Sequence, residues 1–334
     1  MADNKISNKM ESLSRYKLLI LSCVLSISSV FLHFSIVDNA NYGFQQQWYT
    51  QIITNTGPYP DQYRVLTYYI AYLLIHAGIP FSIAFSILRF VFTAASFFVL
   101  YRYLENWLKP VTALLGIFIM AAVLPATYLF YAMQPADPLN MLVFFLAILI
   151  LLKKRDIWFL PLVIIGMLNR ETAIILPLIF LFVRFGIAPV RYWLTKFFTY
   201  SFVSLSIYIG LRIIFGIKAP YAPTSLLHYW WTNLTDWQTW LQLIGFFGFF
   251  LLFAFQKWRE KPEFLRRMAL ILPIFFLIHF TVGYMREVRY FIPLLPIILP
   301  FALMNLEKIQ NSNELQKNEM AVLMAKYWKV LWKR

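Results

Sequence analysis

The stretch at residues 65–77, VLTYYIAYLLIHA, decides how this chain is threaded. It is apolar enough to enter a bilayer, yet as a helix it reaches only about 20 Å, short of the roughly 30 Å hydrocarbon core. Charge separates the two readings. If these residues do not cross, all Lys and Arg but seven fall on the cytoplasmic side, as the positive-inside rule requires. If they cross, every later basic cluster changes side. The sequence therefore predicts that residues 62–77 form a helix lying at the outer membrane face. The other apolar runs, 18–37, 81–104, 111–131, 138–152, 157–168, 173–183, 197–216, 237–255, 268–283 and 291–304, are each bounded by charge, Gly or Pro and read as about ten transmembrane helices with both termini cytoplasmic.

Composition agrees with that reading. Of 334 residues, 60% are hydrophobic, 19% aromatic and only 13% charged, which points to an all-α polytopic membrane protein with juxtamembrane helices in the first loop. The first run follows Lys5, Lys9, Arg15 and Lys17, and no small-residue cleavage site precedes Asp38, so a retained signal-anchor is expected. The net charge of +15 lies in short clusters between apolar runs, which argues against nucleic acid as a partner. Cys23, the only cysteine, can form no internal disulfide. Residues 1–305 read as one transmembrane domain. Residues 306–334 read as a cytoplasmic basic tail, in which Met320, Leu323, Met324, Tyr327, Trp328 and Leu331 form an apolar stripe suited to the anionic leaflet.

Seven cations remain for the outer side: Arg64, Arg89, Arg170, Arg212, Lys218, Arg286 and Arg289. The acids Asp38, Asp61, Asp137, Glu171, Asp236 and Glu287 fall there too. Ionisable groups at membrane depth are costly and usually pair or line a cavity, so their accumulation on one side requires an account. Three motifs concentrate them. Tyr131-Ala132-Met133-Gln134-Pro135-Ala136-Asp137-Pro138 starts a span with an acid, where helix amides favour an anion. Asn169-Arg170-Glu171-Thr172 interrupts two segments each too short to span comfortably, and Arg286-Glu287-Val288-Arg289-Tyr290 joins two spans tightly. The four histidines are scattered without metal-ligand spacing, and the aromatic run 221–240 reads as an interfacial belt. There is no phosphate-binding Gly-rich loop, nucleophile elbow or HExxH. Cations and carboxylates beside an apolar bundle suit a substrate with a phosphate head on a long apolar tail, the arginines holding phosphate and a carboxylate accepting a proton from an attacking hydroxyl.

An acid directly after the first span, an outer interfacial helix, a Tyr-Ala-x-x-x-x-Asp-Pro junction and a charged short hairpin together resemble the GT-C class of polyprenyl-phosphate-sugar-dependent membrane glycosyltransferases. The nearest groups are the protein O-mannosyltransferases and the lipid A aminoarabinose transferases. The resemblance runs over roughly residues 15–305. It implies a GT-C-like fold in the cytoplasmic (inner) membrane with an extracytoplasmic site, and inverting transfer of a sugar from a polyprenyl phosphate to a glycan, lipid or protein acceptor. The family's first-loop acid, which activates the acceptor or holds a divalent metal, falls on Asp38; beyond that metal no cofactor is implied. The acid before the interfacial helix falls on Asp61, where Asp61-Gln62-Tyr63-Arg64 replaces the usual His-Pro-Pro-Leu, and the second-loop acid falls on Asp137. The resemblance makes Asp38, Asp61 and Asp137 catalytic. Arg170, Arg286 and Arg289 become the phosphate clamp, oriented by Glu171 and Glu287, with Arg64, Arg89 and Tyr290 also facing substrate. Arg170-Glu171 stands where the family often has a Lys, and the chain carries no soluble C-terminal domain. Two other functions fit the same composition: a lipid-linked saccharide polymerase or ligase, and a secondary transporter or lipid flippase.

Overall fold

The computed structural model describes residues 14–36, 40–128, 134–220 and 225–309, which are helical without a β-strand. In chain order the helices are α1 (Arg15–Ile36), α2 (Ala40–Ile53), α3 (Val65–His76), α4 (Phe81–Leu104), α5 (Pro110–Ala126), α6 (Asp137–Leu152), α7 (Phe159–Asn169), α8 (Leu176–Arg184), α9 (Val190–Phe215), α10 (Leu226–Thr235), α11 (Trp237–Leu243), α12 (Phe249–Ala254), α13 (Glu263–Met268) and α14 (Ile271–Val282). A last helix, α15, occupies residues 295–309. Prolines fix several beginnings, because a ring locked near φ −65° suits a first turn whose N–H has no intrahelical acceptor. Pro80 and Pro189 precede α4 and α9, and Pro110, Pro138 and Pro177 lie in the first turns of α5, α6 and α8. Gly216, at φ +77°, ends α9 in a conformation that favours glycine.

Among the described residues five helical stretches are long and apolar enough to cross a membrane: Arg15–Ser35, Phe81–Leu104, Val190–Phe215, Glu263–Val282 and Val288–Ile309. Their outer faces expose Phe31, Phe202, Ile213, Ile214 and Leu277, a surface that water would not tolerate and a bilayer would. Burial grades across the bundle. The most apolar window of Val288–Ile309 is 78% buried and that of Val190–Phe215 only 17%, so α15 is central and α9 peripheral.

Helix direction alternates between two ends. α4, α6, α8, the α11–α12 rod and α15 run from the end carrying Asp61 and Asp137, and α1, α5, α7, α9 and the α13–α14 rod return to it. At the far end Lys153, just past α6, donates to Asn106 Oδ1 at 2.6 Å just past α4. At the near end the Tyr63 hydroxyl donates to the Gly216 carbonyl at 2.8 Å, just past α9. The far end carries its own charges. Asp156 accepts from Arg184 Nε at 2.8 Å and from the Tyr192 hydroxyl at 3.0 Å, while Lys261 Nζ donates to Phe301 O at 2.8 Å and Asn305 Oδ1 at 2.6 Å.

The segment at 62–77 is a helix, α3, entered through a 3-10 turn at Asp61–Tyr63. It buries Val65, Thr67, Tyr68 and Ala71 against its neighbours and leaves Tyr69 and Leu73 exposed. Several run boundaries differ from the sequence reading, each for a local reason. The run at 197–216 begins at Val190, straight after Pro189. The run at 173–183 is divided into a 3-10 turn, Glu171–Ile175, and α8, because Pro177 cannot continue an earlier helix. The run at 237–255 contains a π turn, Ile244–Gly248, which bears Gly245 and Gly248. Asp38 and the tail at 310–334 lie outside the described residues.

Candidate functional site

Four helix ends meet at the near end of the bundle. The turn before α3 brings Asp61 and Arg64, the start of α6 brings Gln134 and Asp137, and the break between α7 and α8 brings Arg170 and Glu171. The 3-10 segment Val288–Leu294 before α15 brings Arg289 and Tyr290, with Glu287 just ahead of it. Their side chains form one connected network. Arg64 Nη1 donates to Asp61 Oδ1 at 2.6 Å and to Gln134 Oε1, while Nη2 and Nε grip Glu171 at 2.9 and 3.4 Å in a fork. Gln134 ties two acids together, its amide donating to Asp61 at 3.3 Å and its backbone N–H to Asp137 Oδ2 at 3.0 Å. Asp137 then accepts from two guanidiniums: Arg170 on Oδ1, and Arg289 on Oδ2 at 3.2 Å. Arg289 Nε reaches Glu287 at 3.0 Å. The Tyr290 ring lies 5.2 Å from the Arg170 guanidinium carbon and 5.6 Å from that of Arg289.

Neutral side chains hold the frame. Thr67 donates to Asn169 Oδ1 at 2.6 Å, Asn169 donates to Ala136 O at 2.9 Å, and Thr172 donates to Asn140 Oδ1 at 3.3 Å. These bonds lock α3, α7 and α6 together at the charged end.

The network is nearly dry: Arg64, Arg170, Arg289, Asp137 and Glu287 are buried, and only Glu171 keeps substantial side-chain exposure, at 25%. Such burial is sustained because every charge has a partner. With each carboxyl ionised, three guanidiniums face four carboxylates and the group carries one net negative charge. Burial alone would push the Glu171 carboxyl up. The Arg64 charge and hydrogen bond, with Arg170 behind them, hold it below its usual range. Burial likewise disfavours the Arg64 charge, and Glu171 and Asp61 more than restore it.

Of the expected site residues, Asp61, Arg64, Asp137, Arg170, Glu171, Glu287, Arg289 and Tyr290 come together here. Arg286 does not: it turns outward to Asp236, at 3.8 Å, beyond the tight hairpin. Arg89, buried in α4, lies 5.5 Å from the Phe34 ring, with Tyr68 between it and the network. Gln134, Thr67, Tyr68 and Asn169 had no assigned role in the sequence. Their signal was faint, a single uncharged polar group in each case at the edge of an apolar run.

Two hollows adjoin this end. A shallow, open lateral groove between α1 and α4 is lined mainly by Ile27, Phe31, Phe34, Ile83, Ile87 and Phe90, with Ser82 and Ser86 among them. A recess of about 390 Å³ on α2 is lined by Gly43, Gln46, Gln47, Thr50 and Gln51. α2 is joined to the Asp61 turn through Gln62, whose amide donates to Ile52 O at 3.1 Å. Among the described residues no group of three or more His, Cys, Asp or Glu could hold a metal ion. The guanidiniums that part the network's carboxylates would repel a divalent cation there; Asp38, on which the resemblance places the metal, lies outside the described residues.

No protein-family model, curated protein or solved structure matches the chain.

Proposed function

We propose that this protein is an integral membrane glycosyltransferase of the GT-C kind, moving a sugar with inversion from a polyprenyl phosphate to a hydroxyl-bearing acceptor on the extracytoplasmic side. The observation that carries the reading is the meeting of acids and arginines from four separate helix ends beside a lateral apolar groove. A groove of that kind suits a lipid tail, and the amide-lined recess on α2 suits sugar hydroxyls. The alternating helices, together with the basic clusters gathered at the far end, support ten crossings with α3 lying at the outer face. Short α7 and α8, at about 1.5 Å per residue, cross together with the turns that flank them.

In the reaction the acceptor oxygen attacks the anomeric carbon, the bond from that carbon to the phosphate oxygen breaks, and its electron pair leaves on the phosphate. The acceptor proton passes to a carboxylate. Asp38, in the link between α1 and α2, and Asp61 are the proton acceptors of this reading. Asp137, clasped by two guanidiniums, is a positioning residue. Arg64 orients Asp61 and Glu171, and Arg170, Arg289, Glu287 and Tyr290 hold that arrangement from the α15 side. Arg89 and Arg286 are left out of the chemistry.

The test incubates purified full-length protein in nanodiscs with a panel of polyprenyl-phosphate sugars and a saccharide or lipid acceptor. Release of polyprenyl phosphate with single-sugar transfer is expected. No release with any donor, together with movement of a labelled lipid across proteoliposomes, would replace the enzyme with a transporter. Growth of long chains instead of single additions would make it a polymerase.

A further inference from the structure

The three arginines at the centre of the network are already matched by carboxylates. A phosphate entering there would meet a net negative group. A different cation stands beside the network without such a partner. Arg212, in the last turn of α9, lies in a cage of three tyrosines, its guanidinium carbon 3.3 Å from the Tyr208 ring centre, 4.4 Å from Tyr63 and 5.4 Å from Tyr59. Its Nη1 donates to the Tyr208 carbonyl at 2.9 Å, and its buried Nη2 has no hydrogen-bond partner among the described residues. Among those residues no carboxylate forms an ion pair with Arg212 or with Lys218, whose Nζ donates to Asn55 O at 2.7 Å.

The helix terminus accounts for a cation at this position. It does not account for a buried donor of a charged group left unused, which costs free energy and calls for an acceptor. The surroundings fit one. Tyr63 is fixed by its hydroxyl, which donates to Gly216 O at 2.8 Å and accepts from the Lys218 backbone N–H at 3.1 Å. The Tyr59 N–H donates to Ala219 O at 2.9 Å, so the loop carrying Lys218 is stitched to the loop carrying Asp61. Tyr63 belongs to the same turn as Asp61 and adjoins Arg64 in the chain, which puts Arg212 next to the network.

We infer that Arg212, held in its tyrosine cage and assisted by Lys218, binds the phosphate of the lipid-linked substrate. The inference rests on the transferase reading, and it moves phosphate recognition from the buried arginines to the rim. Phosphate held at Arg212 leaves the adjoining carboxylates free to face the acceptor, and the charge that gathers on the departing phosphate meets a cation without a competing acid.

The experiment measures binding apart from turnover. Full-length protein in nanodiscs of zwitterionic lipid is titrated with polyprenyl phosphate, with phosphatidic acid and with inorganic phosphate. Wild type is expected to bind polyprenyl phosphate most tightly, and Arg212→Gln to weaken it by about tenfold or more, the loss of one charge-assisted contact. Lys218→Gln should give a smaller loss. Arg212→Lys keeps the charge but not the fork, and decides the matter if Arg212→Gln does not fold: a severalfold loss supports the site and unchanged binding overturns it. Wild-type binding of none of the three probes, or equal losses for phosphatidic acid and polyprenyl phosphate, would also overturn it. Inorganic phosphate competing at the same concentration as the lipid would reduce the site to one for free phosphate. Binding that depends on Arg212 without sugar transfer from any donor would leave this inference standing and the transferase reading lost. Transfer with binding unaffected in Arg212→Gln would do the reverse.

Discussion

The two ends of the bundle use buried charge differently. At the far end the buried cations work in separate small groups. Arg184 satisfies Asp156 and also donates to Leu151 O in the last turn of α6 at 2.9 Å, and Lys261 caps carbonyl and amide oxygens of α15. Leu151 O is one of the orphan carbonyls that a helix terminus leaves, met by a cation the dipole favours, whereas Phe301 O lies within α15. At the near end Arg212 and Lys218 also serve backbone carbonyls, those of Tyr208 and Asn55, but a connected network of another kind stands beside them. Arg64, Arg170 and Arg289 turn to acids 107, 33 and 152 residues away in the chain, and acids outnumber guanidiniums. Capping explains the first pattern and leaves the second without a structural cause, which is why chemistry is assigned to the near end.

Mutations can break this contrast. The largest effect is expected from Asp61→Asn, which should lower transfer by about a hundredfold or more while the protein stays folded, because Arg64 keeps its fork on Glu171. Glu260→Gln, at the far end, should leave transfer unchanged; equal losses in the donor-release assay would erase the distinction between the ends. Next come the arginines. Arg289→Ala strands Glu287 and half of Asp137, and Arg184→Ala strands Asp156. Each should cost about 3–5 kcal/mol, read as a comparable fall in thermal midpoint in detergent, but only the first should also alter donor turnover in protein that remains folded.

Acidity sharpens the comparison further. The Glu171 carboxyl lies below its unfolded range, so its contribution to stability is complete above about pH 4.3 and is lost as pH falls through the lower folded value. Glu171→Gln should flatten the acid limb of the stability profile, and an unchanged limb would remove Glu171 from the linkage. At the far end burial, and then the charge of Lys308, lower the Lys261 ammonium to about 8. Between there and its unfolded value the unfolded chain binds more protons, so stability should rise with pH across that window. The effect is the smallest of the set, and Lys261→Met should abolish it.

Much of the fold was readable in the chain. Apolar runs closed by Pro and Gly mark the helices because backbone chemistry punctuates them locally, and residues 65–77 form the expected helix for the same reason. The site was readable as residue types: Asp137 before Pro138, and Arg170-Glu171 between two short runs, stand out because charge in an apolar sequence is expensive. Partner choice was not readable. Arg286 and Arg289 sit three residues apart in one motif, yet one faces Asp236 outside and the other Asp137 inside, because Arg286 lies ahead of the 3-10 segment that carries Arg289. Arg212 looked like any outer-side cation until Tyr59 and Tyr63 from a distant segment joined Tyr208 of its own helix around it.

The amino-acid order by itself determined where helices begin and end and which side of the bundle gathers acids, since both follow from local chain chemistry and the cost of burying charge. Only the tertiary structure decided which arginines pair with carboxylates and that Arg212 has no such pair among the described residues, because that depends on distances between helix ends far apart in the chain.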